Sequence, residues 1–293
     1  MIKTLTIIMP SYNEEDSLKV ILPEVISHCE MKGYELVVVD DGSSDNTQQI
    51  LYILEEKSKA LKVVTHKMNK GYGAAIKSGI KQASTDYVVT MDADGQHRLE
   101  DIDKLFAEIL SADADMIIGS RLGQKSASRV RGFGKWVIRS IARILMPLEI
   151  KDLNSGMKIY NTSLAKEYLS LCPDSMSYSD TIALVFVNYK HRVLETPISI
   201  RERNSGRSAV GLNTAFETLL AIINIVMLFN PLKVFLPCAL FILFVSLLWG
   251  LPIVLKGNGV SVGTLLGITL SIFLFFLGLI AEQISILRKR KYG

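Results

Sequence analysis

Two long stretches without a charged residue, near the C-terminal end, most constrain what this chain can fold into. They are Val234–Leu255 and Val260–Ala281, each of 22 residues. As helices they would be roughly 33 Å long at about 1.5 Å per residue, enough to cross a hydrocarbon layer of about 30 Å. A soluble core helix of that length would normally carry a charged face, which is absent here. The sequence therefore predicts a transmembrane hairpin closed by the turn Lys256–Gly259.

Basic residues at the ends of the predicted spans set the expected orientation. Arg288–Lys291 lie just after the second span, whereas Lys256 is the single basic residue in the turn. Positive charge near span ends favours the cytoplasmic side. Residues 1–3 run straight into a strand pattern, with no signal-peptide pattern. We therefore expect an integral membrane protein with two spans, whose N-terminal domain and both termini are cytoplasmic.

Residues 1 to about 120 alternate short apolar runs with longer helix-like stretches, a pattern that weakens after Leu122. Such alternation predicts βαβ units around a mainly parallel sheet. The predicted strands are Leu5–Met9, Glu35–Val39, Lys62–His66, Tyr87–Met91 and Met116–Gly119. The predicted helices lie near Asp16–Met31, Thr47–Ser58, Tyr72–Gln82 and Leu99–Ser111. The expected fold class is therefore α/β.

A short motif with two carboxylates and an amide follows the fourth predicted strand. Asp92, Asp94 and Gln96 lie in the segment Asp92–His97, at the carboxyl end of that strand. Ligands of open α/β sheets collect at this end of the strands, and Mg²⁺ and Mn²⁺ prefer oxygen ligands, including substrate phosphates. The motif predicts a divalent-metal site that binds a diphosphate. A glycine-containing turn with solvated acids would use the same residues, so the motif alone leaves both interpretations open.

Polar residues also follow three other predicted strands. They lie in the segments Pro10–Glu15, Asp40–Asp45 and Gly119–Arg121. The carboxyl ends of parallel strands meet at one edge of a sheet, so these segments should converge on the acidic motif. An aromatic ring, several carboxylates and an arginine at one edge would suit a nucleotide. Each segment by itself also fits an ordinary turn.

A basic stretch, Arg121–Leu148, contains seven basic side chains and no acidic one. Four of them recur every four residues and would share a helix face: Arg131, Lys135, Arg139 and Arg143. A solvated face and a nucleic-acid surface are both alternatives. With two predicted spans in the chain, anionic lipid head groups or a lipid phosphate are the favoured partners, and no nucleic-acid partner is expected.

Six short motifs, taken in order, resemble the signature of family 2 glycosyltransferases. They are Pro10–Glu14, Val39–Ser43, Asn69–Gly71, Asp92–His97, Gly119–Arg121 and Asp152–Gly156. The likeness is greatest to dolichyl-phosphate and polyprenyl-phosphate sugar transferases, and it covers residues 5 to about 210. It implies a GT-A-like, Rossmann-type catalytic domain with a mainly parallel sheet.

The resemblance also implies roles for individual residues. The nucleoside would be held by Pro10, Tyr12, Glu14, Val39 and Asp41. Residues 92–94, including Ala93, would lie against the nucleotide sugar, and Asp94 and Gln96 would coordinate Mg²⁺ or Mn²⁺, with Asp92 as a further candidate ligand.

Three arginines complete the implied site. Arg121 would contact the sugar donor or the acceptor phosphate, Arg131 the acceptor phosphate, and Arg203 the donor diphosphate. With Asp94, they are the expected catalytic residues. Relatives usually have a lysine where this chain has Ala209, and Arg207 could take its place.

The expected function is metal-dependent, inverting transfer of a sugar from a nucleotide diphosphate donor, GDP-mannose or a UDP-hexose, to polyprenyl or dolichyl phosphate at the cytoplasmic membrane face. Two alternatives remain open. The chain could extend a lipid-linked glycan or polysaccharide, or it could be a non-catalytic membrane subunit with the same fold.

The expected domain division has three parts. Residues 1–210 form the catalytic domain, 211–232 a juxtamembrane amphipathic helix, and 233–293 the transmembrane hairpin with a basic tail. Residues 211–232 could lie in the membrane interface or pack on the soluble core. Hairpin anchors often pack against copies of themselves, so a homo-oligomer is a further possible arrangement.

Overall fold

The computed structural model of the chain describes residues 4–121, 150, 152–153, 155–201, 223 and 226–292. The chain divides into two compact units. The first contains the described residues between 4 and 201, and the second contains the described residues from 223 onward. The predicted juxtamembrane helix at 211–232 lies largely outside the described residues.

The first unit is built on one seven-stranded sheet. Its strands are β1 (Leu5–Ser11), β2 (Glu35–Asp40), β3 (Leu61–Thr65), β4 (Tyr87–Thr90), β5 (Met116–Ser120), β6 (Lys158–Asn161) and β7 (Val193–Pro197). Their order across the sheet is β3-β2-β1-β4-β6-β5-β7. Each pair of neighbours is parallel except those that include β6. The predicted mainly parallel sheet is confirmed.

Helices connect the strands and cover the sheet. They are α1 (Glu15–Lys32), α2 (Thr47–Glu55), α3 (Tyr72–Gln82), α4 (Leu99–Ala112), α5 (Thr162–Tyr168) and α6 (Tyr178–Asn188). Helix α1 ends at Gly33, whose φ of 69° is the left-handed conformation that favours glycine at this position. The strands and helices predicted up to residue 120 are all present in the structure, with small differences in where they begin and end.

Both faces of the sheet are buried, as expected when helices pack on each side of parallel strands. On one face, Ile7 and Val38 belong to a large apolar core that includes Leu22 of α1 and Ile102 of α4. On the other face, Val37 and Val39 pack with Ala75 of α3. Alternate residues of β2 therefore face different helices, which fixes its register.

The carboxyl ends of β1, β2, β4 and β5 meet at one edge of the sheet. β1 is parallel to β2 and to β4. β5 runs in the same direction as β4, because both are antiparallel to β6, which lies between them. The polar segments that follow these strands therefore converge, as the sequence predicts.

The second unit contains two apolar helices, α7 (Leu232–Leu255) and α8 (Val262–Tyr292). The most apolar 18-residue windows within Leu232–Leu255 and Val262–Leu287 have mean hydropathies of 2.6 and 2.4. Only 11% and 17% of the residues in these windows are buried within the protein. Helices this apolar with such open surfaces fit a membrane hairpin better than a soluble core.

Small residues and a few polar contacts hold α7 and α8 together. The hydroxyl of Ser271 donates to the carbonyl oxygen of Ala239 at 2.8 Å. The carboxylate of Glu282 accepts from the backbone N–H of Leu232 at 3.3 Å, which satisfies one of the free donors at the start of α7. The turn between the helices contains Gly257 with a φ of 77°.

We expect Gly278→Ala to lower the thermal stability of the detergent-solubilised protein. A Cβ atom at this position would lie 2.6 Å from Phe235 Cβ, a contact that side-chain rotation cannot relieve, and overpacking of this kind costs about 1–3 kcal/mol. The control is Gly263→Ala, because nothing lies within 4 Å of a Cβ there and alanine favours a helix. Thermal melts would contradict the close packing of the hairpin if both variants matched the wild type.

Candidate active site

The loop that follows β4 forms a tight turn that is stabilised by a hydrogen bond within the loop. The Asp94 carboxylate accepts from the backbone N–H of Gln96 at 3.1 Å, and Gly95 between them has a φ of 74°. Asp94 and Gln96 are both half-buried. Ala93 is 4% exposed and anchors the loop in the core. The two oxygen-bearing side chains named by the sequence thus lie in one tight turn.

Asp92 is held by neighbours on three sides. The Tyr72 hydroxyl donates to its Oδ1 at 2.9 Å, and His97 Nε2 lies 3.5 Å from its Oδ2. A Cβ on Gly156 would be 2.2 Å from Oδ2, so a larger residue at position 156 would displace this carboxylate. Burial opposes ionisation, but hydrogen bonds from His97 and Tyr72 and the charge of Lys158 outweigh it and lower the pKa of Asp92. Asp92 is therefore a fixed anion.

These oxygens fit a hard divalent cation in part. Among the described residues, no three His, Cys, Asp or Glu side chains are grouped as metal ligands. Asp94 and the amide oxygen of Gln96 could supply two ligands, and the oxygens of Asp92 already serve Tyr72 and His97. Mg²⁺ commonly binds through one or two carboxylates plus phosphates and water. The turn thus suits an ion that a diphosphate helps to coordinate.

The loops that follow β1 and β2 are joined to each other. Asn13 Oδ1 accepts from the backbone N–H of Ser44 at 2.8 Å, and the Asn13 N–H donates to Ser43 Oγ at 2.9 Å. Beside this junction the Tyr12 ring is 46% exposed, which leaves a face for stacking. Glu14 is half-buried and accepts from Ser17 Oγ at 2.8 Å.

Asp41 is almost wholly occupied by protein groups. It is 3% exposed and accepts from the backbone N–H groups of Lys70 and Gly71, at 3.0 and 2.7 Å. His66 Nδ1 lies 2.5 Å from Asp41 Oδ1, and His66 Nε2 lies 2.8 Å from Ser78 Oγ. Its contacts therefore pin the segment before α3 to the end of β2. Pro10 and Val39, named with it, are also buried, within β1 and β2.

Arg121 lies at the end of β5 in a two-pronged ion pair with Asp152. Its Nε and Nη2 donate to the two Asp152 oxygens at 3.0 and 2.9 Å. The Asp152 backbone N–H donates to Glu195 at 2.7 Å. Burial acts against it, but the hydrogen bonds from Arg121 lower the pKa of the Asp152 carboxyl. The Arg121 side chain is 38% exposed, so Asp152 orients it while part of it remains accessible.

Several predicted site residues lie outside the described part of the chain. They are Arg131, Arg203, Arg207 and Ala209. Most of the basic stretch, residues 122–148, lies outside it as well.

Sequence reasoning missed Lys158. Lys158 lies on β6 and is 1% exposed. Burial lowers its pKa from 10.5 to about 8, although the charges of Asp180 and Asp152 act in the opposite direction. Asp180 Oδ1 is buried and has no hydrogen-bond partner among the described residues. The available signal was a lysine within the apolar run Met157–Tyr160.

Comparison with protein families gives two matches that together span most of the chain. Residues 6–169 match the model of glycosyl transferase family 2. Residues 230–287 match the model of the GtrB C-terminal hairpin. The two matches fall on the sheet unit and on the helical hairpin, respectively.

Two curated relatives are similar over much of the sequence. An undecaprenyl-phosphate 4-deoxy-4-formamido-L-arabinose transferase from Edwardsiella ictaluri is 30% identical over 72% of this chain, which spans 64% of that protein. A UDP-N-acetylglucosamine–dolichyl-phosphate N-acetylglucosaminyltransferase from Methanococcus voltae is 32% identical over 56% of this chain and 72% of its own length.

A solved structure shares the fold. Glucosyl-3-phosphoglycerate synthase from Mycobacterium tuberculosis, in complex with Mn²⁺, uridine diphosphate and phosphoglyceric acid, superposes with a TM-score of 0.60. It is 18% identical, and the match covers 76% of this chain and 78% of that one. At this level of identity the likeness establishes the fold, which is GT-A.

We expect Tyr72→Phe to destabilise the protein by about 1 kcal/mol near pH 7, because Asp92 loses a hydrogen bond to its ionised form. The pKa of Asp92 is lowered in the folded state, so its contribution is present above the unfolded-state value of about 3.9 and is lost as the pH falls through the lower folded value. The gap in melting temperature should therefore narrow below about pH 4.

Tyr52→Phe is the control for this measurement, because Tyr52 is exposed and its hydroxyl contacts Gln48 and Thr65, not an acid. Its effect on melting temperature should be independent of pH over the same range. A constant gap for Tyr72→Phe would show that the phenol does not stabilise the carboxylate.

Proposed function

This chain belongs to glycosyl transferase family 2, and we propose that it transfers a sugar from a nucleoside diphosphate donor to a polyprenyl phosphate. One observation carries the proposal: a family 2 catalytic unit and a GtrB-type hairpin occur in the same chain. A polyprenyl phosphate resides in a membrane, and the hairpin would keep the enzyme at the same surface.

The names of the relatives support this class of acceptor. The relative from Edwardsiella ictaluri is named for undecaprenyl phosphate and the one from Methanococcus voltae for dolichyl phosphate. Both are phosphates of long polyprenyl chains, so the shared chemistry is a phosphate monoester on a membrane lipid. The sugars in the two names differ, so they do not identify the donor of this chain. The candidates are GDP-mannose and a UDP-hexose, and a donor screen would distinguish them.

On the donor side, Tyr12 would stack on the base and Glu14 would accept from the ribose or base. Pro10 and Val39 would shape the wall of the nucleoside site. Asp41 has a small accessible fraction, so its main role would be to fix the loops that surround the nucleoside. The exposed Tyr12 ring is the structural feature that best supports this arrangement.

Asp94 and Gln96 would hold Mg²⁺ or Mn²⁺ together with the donor diphosphate, and Asp92 would lie against the donor sugar. When bound, the ion supplies positive charge that offsets the charge growing on the departing diphosphate. We also assign Arg203 to that diphosphate. Arg121, oriented by Asp152, and Arg131 would bind the acceptor phosphate.

The transfer is a single displacement at the anomeric carbon. An oxygen of the lipid phosphate forms the new bond as the bond to the nucleoside diphosphate breaks, with inversion. A phosphate monoester is largely ionised at pH 7, since its second pKa is about 6. The acceptor therefore attacks without losing a proton, and no side chain is required as a general base. Transfer to a hydroxyl would require one.

We further propose that the catalytic unit, residues 1–210, lies on the cytoplasmic side with both termini. Residues 211–232 would connect it to the hairpin at 233–293. The basic residues Arg288–Lys291 near the end of α8, against a single lysine in the turn, support this orientation. Basic side chains near the spans would also attract anionic lipids.

A second candidate function is extension of a lipid-linked glycan or polysaccharide. Processive synthases usually contain a Gln-x-x-Arg-Trp motif, and neither Trp136 nor Trp249 stands in one. The intact acids at 92 and 94 favour catalysis over a non-catalytic subunit.

The assay uses the purified full-length protein, labelled UDP- and GDP-sugars and a polyprenyl phosphate with Mg²⁺ or Mn²⁺. We expect a glycolipid product from at least one donor, and we expect Asp94→Ala to lower kcat at least about 100-fold, the usual cost of losing a key electrostatic contact. Asp16→Asn, an exposed acid in the first turn of α1, is the control. Full activity of Asp94→Ala would refute the role of Asp94.

Orientation is tested by cysteine labelling in intact cells or sealed vesicles. In a background without Cys29, Cys172 and Cys238, we expect Asn258→Cys in the turn to react with an impermeant maleimide from the non-cytoplasmic side. We expect Lys289→Cys to react only after permeabilisation. The reverse labelling pattern would invert the proposed topology.

A further inference from the structure

Lys158 is a charged side chain buried inside the catalytic unit, next to the acidic loop. It is 1% exposed and pairs across the sheet with Thr90, two residues before Asp92. Its ammonium group donates to the Ser155 carbonyl oxygen and to Ser179 Oγ. Burial of an ammonium group is strongly unfavourable unless it is paired and hydrogen-bonded. The unfavourable burial of this ammonium group suggests that Lys158 has a specific role.

The contacts of Lys158 fix one backbone turn. The Ser155 carbonyl oxygen accepts from Lys158 and also from Ser179 Oγ at 2.7 Å. The next carbonyl oxygen, that of Gly156, accepts from Thr90 Oγ1 at 2.6 Å. The turn at Ser155–Gly156 is thus tied to β6, to α6 and to β4 at once.

That turn lies directly against Asp92. The space beside Gly156 Cα is filled by the Asp92 carboxylate, since a Cβ would come within 2.2 Å of Oδ2. Tyr72 holds the other oxygen. The Asp92 carboxylate thus lies between Tyr72 and the Ser155–Gly156 turn. A shift of this turn would therefore change the position of the carboxylate.

Lys158 also compensates the charge of nearby acids. The carboxylates that interact with it electrostatically are Asp180, Asp152 and Asp92. Asp152 already has Arg121 as its partner. Asp180 Oδ1 has no hydrogen-bond partner in the described part of the chain, and the positive charge of Lys158 acts to keep Asp180 ionised against burial.

We propose that Lys158 is a positioning residue that holds the Ser155–Gly156 turn against Asp92 and thereby sets the orientation of this carboxylate toward the donor sugar. The inference rests on the proposed function, in which Asp92 contacts the sugar portion of the donor. Lys158 itself would touch neither substrate. Its loss should therefore impair recognition of the sugar and leave binding of the nucleoside diphosphate portion nearly unchanged.

Calorimetry on the full-length protein in nanodiscs with Mn²⁺ tests this selectivity. The probes are the nucleotide sugar chosen in the donor screen and the corresponding nucleoside diphosphate. We expect Lys158→Met to raise the Kd of the nucleotide sugar about tenfold and that of the nucleoside diphosphate less than about threefold. Lys62→Met, at an exposed lysine on β3, should change neither. The proposal would be overturned if Lys158→Met bound both probes with the same Kd values as the wild type.

A double-mutant cycle tests whether Lys158 acts through Asp92. If it does, Asp92→Asn and Lys158→Met weaken binding of the nucleotide sugar by similar factors, and the double variant is little worse than either single one. Multiplicative losses would mean that the two residues act independently, which would contradict the inference.

Lys158→Met removes the charge that most favours ionisation of the buried Asp180 and could fail to fold. The charge-balanced variant Lys158→Met/Asp180→Asn then carries the test, with the same expected loss of sugar selectivity. Wild-type selectivity in this folded variant would overturn the inference, and so would failure of both variants to fold, because Lys158 would then serve stability alone.

The outcomes also separate this inference from the proposed function. If the wild type binds the nucleotide sugar but forms no glycolipid, the proposed function fails, while the selectivity measurement still decides the role of Lys158. If the wild type forms glycolipid and Lys158→Met keeps wild-type selectivity, only the positioning role fails. Absence of nucleotide-sugar binding in the wild type would end both.

Discussion

The antiparallel pairing of β6 between β4 and β5 is the constraint on which the candidate site depends. The pairing brings Lys158 opposite Thr90 and so places the Ser155–Gly156 turn beside the loop that follows β4. A uniformly parallel sheet would send that turn to the opposite edge, because the start of a parallel strand lies far from the end of its neighbour. One reversed strand therefore adds a wall to a site otherwise made by strand ends.

Most of the Rossmann-type half of the sheet could be predicted from the sequence, because each strand is a short apolar run followed by turn residues. β1 and β2 begin where the pattern places them, at Leu5 and Glu35. β6 could not be predicted, since four residues that include a lysine give no periodic signal. Its pairing is decided by partners distant in sequence, which outweigh local propensity.

The candidate site shows the same division between local and distant information. The motif at Asp92–His97 and the arginine at Arg121 were visible as residue types after predicted strands. Their contacts were not, because they join segments distant in the chain: Tyr72 and Gly156 lie against Asp92, and Asp152 pairs with Arg121. Prearranged polar groups of this kind spare a site the cost of reorganisation when charge develops. The sequence named the residues proposed to face a ligand more readily than the contacts that hold them in place.

The absence of a side chain at Gly156 leaves room for the Asp92 carboxylate. Because the Asp92 carboxylate occupies the space where any side chain would begin, even the smallest substitution at this position collides with it. A side chain at position 156 would therefore force the Asp92 carboxylate out of the orientation in which Tyr72 holds it. The Tyr12 ring, by contrast, is 46% exposed, so a change in its size would displace no buried neighbour.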